Sequence, residues 1–269
     1  MADNIAARLT AHGGAMKKAA DTPVQRTLTF AKQQYGSRQA LFGETLVDHC
    51  VAVAYMAETI AQKLYQDVRA DFMPDDTKDS ISAIVQTALL HDVLNVSACA
   101  FENIAETTTV QIAAMVADIS RDFRLVETKR DMEFRGRLSQ SPVGAQIVVV
   151  ADIICTAKAA LKLLNSAGMP AVPKTKKVLT QLDGDLLAIH AASRFYVLRL
   201  YVHAARNMLS DVSQTIKSCR QKAKLDKCVA QNTKALRERV AAAEKEKAAA
   251  EPKKRKVRYA KKRSSKQDS

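Results

Sequence analysis

The chain has 269 residues, 47% of them apolar, with eight Gly, six Pro and no Trp. That apolar content supports a packed core and excludes a disordered chain, while the scarcity of turn formers speaks against a many-stranded sandwich or barrel. The net charge of +14 is concentrated from Lys217 onward, where 19 Lys and Arg face 6 Asp and Glu, whereas residues 1–216 hold 23 against 22.

Residues 1–23 are rich in Ala, Lys and Thr and carry Gly13-Gly14, which predicts a flexible leader. A helix is expected from Val24 to Tyr35, then a loop through Gly36 and Gly43. Apolar residues then recur at helical spacing over Glu44–Tyr65 (Leu46, Val47, Val51, Ala54, Ala57, Ile60). The stretch 66–78, with Pro74-Asp75-Asp76, is a polar break. Ser80–Val96 is an apolar helix, and Phe101–Ile119 and Leu125–Leu138 continue the pattern. Ser141-Pro142 supplies an N-cap acceptor and a preset φ for the next helix, Gly144–Leu164. Its β-branched run Ile147-Val148-Val149-Val150 is assigned to a buried helix because Ala, Lys and Leu carry it on without a breaker. Val178–Leu209 is helical, and Asp211–Ala250 is a charged, Ala-rich helix. The expectation is an all-α bundle over 24–212, a charged helical arm over 213–250, and a disordered basic tail over 251–269.

No apolar run reaches the ~18 residues of a membrane span, and Met1-Ala2-Asp3-Asn4 opens no signal-peptide core. A cytoplasmic protein without membrane contact is therefore expected. The basic tail leaves a nucleoid or, in a eukaryotic host, a nuclear location open. Five cysteines (Cys50, Cys99, Cys155, Cys219, Cys228) without a C-x-x-C spacing read as reduced thiols, the first three as small core residues.

His91-Asp92 ends the apolar string Thr87-Ala88-Leu89-Leu90, where a carboxylate is costly unless it is paired or ligates a cation. Asp152 follows Val148-Val149-Val150-Ala151, and His49 precedes Val51-Ala52-Val53-Ala54 in the same way. Imidazoles and carboxylates converging from three helices make a mixed N/O site suited to Mn²⁺, Fe²⁺ or Zn²⁺. The plainer alternative is a buried polar cluster satisfied by its own hydrogen bonds.

The order H…HD…D on a helical scaffold resembles the HD-superfamily phosphohydrolases. It is most similar to the (p)ppGpp hydrolase domain of RelA/SpoT-type proteins and the small stand-alone alarmone hydrolases. Gly43-Glu44-Thr45-Leu46-Val47-Asp48-His49 is similar to that family's G-x-x-Y-x-x-H, and Ala88-Leu89-Leu90-His91-Asp92 matches its A-L-L-H-D. Ile119-Ser120-Arg121-Asp122 with Lys129-Arg130, and Ser141-Pro142 through Ala151-Asp152, resemble two further motifs, so the likeness covers about residues 30–165.

The resemblance implies that His49, His91, Asp92 and Asp152 bind one Mn²⁺. It implies as substrate a guanosine 3′,5′-bis(diphosphate), cleaved to release its 3′-pyrophosphate, with Arg38, Lys129 and Arg130 as phosphate partners. The chain departs from the pattern where the family follows HD with x-x-E-D. Asn95 and Val96 stand there, and Asn95 can hydrogen-bond a water but cannot take its proton, a loss of roughly 10²–10⁴-fold in general-base help. Glu102 or Glu106 on the next segment could replace the lost carboxylates. Thr156 stands for the family's asparagine after the last aspartate, Leu46 for its tyrosine and Cys50 for its proline. The rival expectation is a catalytically reduced HD fold that binds nucleotide, or binds nucleic acid through its tail.

Between 253 and 266 the tail carries nine Lys and Arg, a density that binds polyphosphate without sequence preference. Pro252–Val257 also looks like a nuclear-import signal, and nonspecific nucleic-acid contact is expected over 252–266. His190 and His203 read as core-edge histidines, and Asp183-Gly184-Asp185 as a helix cap rather than a calcium loop.

Overall fold

In the computed structural model the backbone is described over residues 22–67 and 80–264, and side chains through residue 246. Among these residues every named element is helical, with one isolated antiparallel bridge between Gln39 and Thr45. The chain divides at Ile216/Lys217 into two compact units.

The first unit opens with α1 (Pro23–Tyr35), where the Thr22 hydroxyl accepts from the Gln25 N–H and Pro23 fills the first turn. Gly36, at φ 56°, ends it, and Gly43, at φ 98°, turns the short loop that leads into α2 (Leu46–Asp67). α3 (Ile81–Leu90) packs against both α1 and α2, and α2 also packs against α8. α4 (Val93–Val96), α5 (Phe101–Thr107), α6 (Val110–Asp118) and α7 (Glu127–Leu138) follow. α8 (Val143–Ala167) is the central helix, buried from Val143 through Ala151 and again from Ile153 through Ala157. The β-branched run is thus a helix interior, as its uninterrupted continuation predicts. A 3-10 turn (Met169–Ala171) leads to α9 (Val172–Ala192), and α10 (Tyr196–Ser264) begins in this unit.

Several boundaries differ from the sequence expectation. The helix expected over Ser80–Val96 is broken at His91-Asp92. Asp92, at φ −99° and ψ −5°, sits in the turn between the two helices, and its carbonyl starts the second of them. Phe101–Ile119 is two helices, because Thr108 turns out of the ladder and the Thr109 hydroxyl caps the second. Val178–Leu209 is likewise two, separated at Ser193-Arg194-Phe195, where the Ser193 hydroxyl accepts the Phe195 N–H. Ser141 does not cap α8. Its hydroxyl donates to the Arg137 carbonyl at 2.9 Å and so closes α7.

Asp183-Gly184-Asp185 is neither cap nor cation loop but lies inside α9. Asp185 is buried and accepts from Arg121 and, at 3.1 Å, from Arg135 Nε, while Asp183 accepts from Arg206 at 3.0 Å. A methyl group at Gly184 would run into the Arg135 guanidinium, which would have to shift.

The second unit is the rest of α10. Its backbone stays helical through residues 251–264, beyond the Ala250 at which the sequence reading ends the arm. Lys, Arg and Ala are strong helix formers, a preference that reading set below charge repulsion. The leader over 1–21 and the last residues, 265–269, lie outside the described residues, as do the tail side chains on which the nucleic-acid and import expectations fall. Cys50 and Cys155 are buried as expected, Cys99 is only half-buried, and none of the five cysteines forms a disulfide among the described residues. No described helix is long and apolar enough to cross a membrane.

Candidate metal centre

His49 lies in the first turn of α2. The Thr45 hydroxyl starts that helix by accepting the Asp48 N–H at 3.1 Å and donating to the Asp48 carboxylate. The preceding loop is pinned by hydrogen bonds from the Ala40 N–H to the Glu44 carbonyl and from the Leu46 N–H to the Arg38 carbonyl. Glu44 is thereby held over His49, its Oε1 2.9 Å from His49 Nδ1.

The other ring nitrogen, Nε2, lies 2.9 Å from Asp152 Oδ1 on α8. His91 ends α3. Its Nδ1 is 2.8 Å from the Ala88 carbonyl, which can only accept, so Nδ1 carries the proton and Nε2 faces the cluster. That Nε2 is 3.4 Å from Asp92 Oδ2 and 3.9 Å from Asp152 Oδ1. Donor atoms of His49, His91 and Asp92 all lie within 4.8 Å of one another, and the two imidazole centroids are 5.5 Å apart.

Both imidazoles are buried, yet both are basic. Burial alone would lower the His49 ring, but its hydrogen bonds to Asp152 and Glu44 prevail and raise it to about 10. Burial pulls His91 down in the same way, and Asp92, Cys50 and Asp152 together drive it up to about 10. Asp152 would be raised by burial, but the two histidines hold it at about 2. Without an ion the cluster is a knot of shared protons. Two imidazoles and two carboxylates with converging lone pairs fit a borderline divalent cation, which would take the place of those protons.

The knot forms one part of the wall of a cavity of about 720 Å³. Thr156, one turn beyond Asp152, donates to its Oδ1 at 3.1 Å, and Asn95 also reaches the wall. Of the phosphate partners expected from the sequence, Arg130 lines the cavity. Its guanidinium is 5.0 Å from the Phe123 ring centroid, and its Nε is buried with no hydrogen-bond partner. Lys129 is exposed and outside the wall. Arg38 is exposed too, donating to the Gln34 and Tyr35 carbonyls and so closing α1. Glu102 and Glu106 face solvent and do not line the cavity, so neither replaces the missing carboxylates.

The sequence reading missed several polar contributors to the wall, among them Glu44, Arg121, Lys174 and Lys177. Glu44 was visible only as part of a motif. The string Pro173-Lys174-Thr175-Lys176-Lys177 opening α9 was the available sign of the lysines. Arg121 is committed elsewhere: it donates to Asp131 at 2.8 Å and to Asp185, and packs 3.9 Å from the Phe134 ring centroid. His190 and His203 stand apart from this cavity and pack edge-on at 5.1 Å.

The fold is an all-α bundle, and His49, His91 and Asp92 form a group that could hold a metal ion. Among solved structures the chain is similar to one described as a metazoan ortholog of SpoT that hydrolyses ppGpp and plays a role in starvation responses. The match has a TM-score of 0.51 at 15% identity and covers 71% of this chain and 96% of that one. At that identity the likeness is one of fold. No protein-family profile matches the sequence, and no curated protein does.

Proposed function

We propose that the chain is a metal-dependent nucleotide phosphohydrolase, with guanosine 3′,5′-bis(diphosphate) as first candidate substrate and release of the 3′-pyrophosphate as the reaction. The observation that carries this reading is the convergence of His49, His91, Asp92 and Asp152 on the wall of a cavity that also presents Arg130, Lys174 and Lys177. His49 Nε2, His91 Nε2, Asp92 and Asp152 would hold the ion, Mn²⁺ ahead of Fe²⁺ or Zn²⁺. When bound, such an ion supplies Lewis acidity toward a phosphoryl oxygen.

The chain's own groups do the rest. Glu44 and the Ala88 carbonyl each fix one ring nitrogen, so that Nε2 of His49 and of His91 points inward. The Arg130, Lys174 and Lys177 cations offset the charge of a polyphosphate. Thr156 orients Asp152. Asn95 hydrogen-bonds a water without accepting its proton, which predicts slow turnover. Residues 24–212 form the hydrolase domain in this reading, and the basic helix beyond is a separate module.

Asn95 and Val96 favour a second reading, in which the same cavity binds a nucleotide and does not turn it over. Elemental analysis of the purified protein, joined to a Mn²⁺-supplemented hydrolysis panel that includes ppGpp, decides between the two. Metal with turnover supports the first reading, and metal-dependent binding without turnover supports the second. Failure to retain any divalent ion, with activity unchanged in His91→Ala and Asp92→Ala, would sink both.

A further inference from the structure

Tyr35 takes no part in the cavity wall, yet it lies behind both imidazoles of the candidate metal centre. It is the last residue of α1 and is fully buried. Its hydroxyl donates to the Leu89 carbonyl at 3.1 Å, two residues before His91. The same hydroxyl lies against Cys50, the residue after His49, and the backbone of Asp92 reaches it as well. Cys50 in turn touches the His91 ring. One buried oxygen thus meets the segments that carry His49, His91 and Asp92.

The end of α3 explains why a hydroxyl stands there. That helix stops at Leu90, and the last carbonyls of a helix lack the N–H groups of a following turn. Two of these carbonyls take side-chain donors instead. His91 Nδ1 serves Ala88 at 2.8 Å, and Tyr35 serves Leu89. A buried phenol without a partner is costly, which fixes the ring in the pose that brings its oxygen to the carbonyl. α1 also packs against α3 before the His91-Asp92 joint and against α4 after it. Its own end is tied down, because the backbone N–H and the guanidinium of Arg38 both donate to the Tyr35 carbonyl, each at 3.2 Å.

We propose, resting on the metal-centre reading, that Tyr35 is a positioning residue. Through Leu89 on α3 and Cys50 on α2, its hydroxyl sets the relation of the two imidazoles, 5.5 Å between centroids and 59° between planes. It acts only by holding the segments that carry the ligands. Thr27 is the natural comparison, since it lies on the same helix and is equally buried. Its hydroxyl pairs with Gln86 Oε1 on α3 at 2.9 Å, away from the break. A hydroxyl that merely tied α1 to α3 would behave as Thr27 does.

The test compares Tyr35→Phe with Thr27→Val in the full chain. The readouts are Mn²⁺ titration, the visible spectrum of bound Co²⁺, and amide exchange of the metal-free protein. Each variant keeps the side-chain shape and removes one buried hydroxyl, so both should lower the melting temperature by a similar amount. Only Tyr35→Phe should weaken Mn²⁺ binding, by about tenfold, and change the Co²⁺ bands, as loss of a group that orients ligands does. Its amides should exchange faster over 89–97, whereas Thr27→Val should leave that segment as in the wild type. If the wild type binds both ions and Tyr35→Phe binds them with unchanged affinity and spectrum, the positioning role is overturned and the metal centre stands. An equal loss of affinity in Thr27→Val also overturns it, because both hydroxyls are then general props of the helix pair. A wild type that binds neither ion fails the metal centre itself, and the positioning role falls with it.

Discussion

His49 Nε2 and Asp152 Oδ1 stand 2.9 Å apart across 103 residues of chain, joining the first turn of α2 to the middle of α8. That contact is the keystone of the cavity wall, and in the metal-free protein it holds a proton. A divalent ion needs both imidazoles neutral. Metal affinity is therefore expected to rise with pH between 6 and 9, by up to about tenfold per unit for each proton displaced. Titration calorimetry in buffers of different ionisation enthalpy counts those protons. Affinity independent of pH would show that the histidines are not ligands.

The same protons govern the stability of the metal-free protein. His49 and His91 are raised from 6.5 to about 10, so their contribution is fully present below pH 6.5 and is lost as pH rises through about 10. Asp152, lowered from 3.8 to about 2, contributes above pH 3.8 and loses that contribution as pH falls through about 2. The chelator-treated protein should thus melt several degrees lower at pH 10 than at pH 6, and bound metal should remove much of the difference. Thermal melts at the two pH values, with and without Mn²⁺, test this.

Glu44 touches only the outer nitrogen of His49. Glu44→Gln should weaken metal binding by about 10–100-fold, through loss of ring orientation and basicity, while leaving the helical fold intact. Competition against a fluorescent chelator measures the change, and an unaltered affinity would remove Glu44 from the site.

Asp185 is buried between Arg121 and Arg135. Asp185→Ala leaves two guanidinium groups without their shared anion, one of them well buried, and should cost about 3–5 kcal/mol. Gly184→Ala pushes on the same Arg135 side chain and should cost about 1–3 kcal/mol. Urea unfolding gives both values, and a loss below 1 kcal/mol for Asp185→Ala would mean that the cluster is not holding α9 to the segment 121–135.

Asn95→Glu returns a carboxylate to the cavity wall. If the slow step is proton removal from the attacking water, hydrolysis of ppGpp should accelerate by roughly 10²–10⁴-fold with metal affinity little changed. Steady-state rates with Mn²⁺ decide, and a rate unmoved by this change favours the binding-only reading.

The helical class and the convergence of His49, His91, Asp92 and Asp152 were legible because polar side chains interrupt strongly apolar helices, a contrast that periodicity exposes. The breaks at His91-Asp92 and at Thr108 were not, since no Gly or Pro marks them and the apolar pattern runs through both. Asp185 was misread because its justification lies in Arg121 and Arg135, 64 and 50 residues away. The same distance problem hid Lys174 and Lys177, whose neighbours Phe42 and Glu127 lie 132 and 50 residues away in the chain. Arg38, which the resemblance implies as a phosphate partner, lies outside the cavity wall and donates to the carbonyls at the end of its own helix.

The interruption between α3 and α4 puts an imidazole on one side of a backbone joint and a carboxylate on the other. An ion held by both would act as a rivet through that joint, fixing the angle at which the two segments meet. Stripping the ion should therefore slacken one side of the chamber while the surrounding bundle stays shut. Amide exchange confined to residues 91–97 would be the earliest sign of an emptied site.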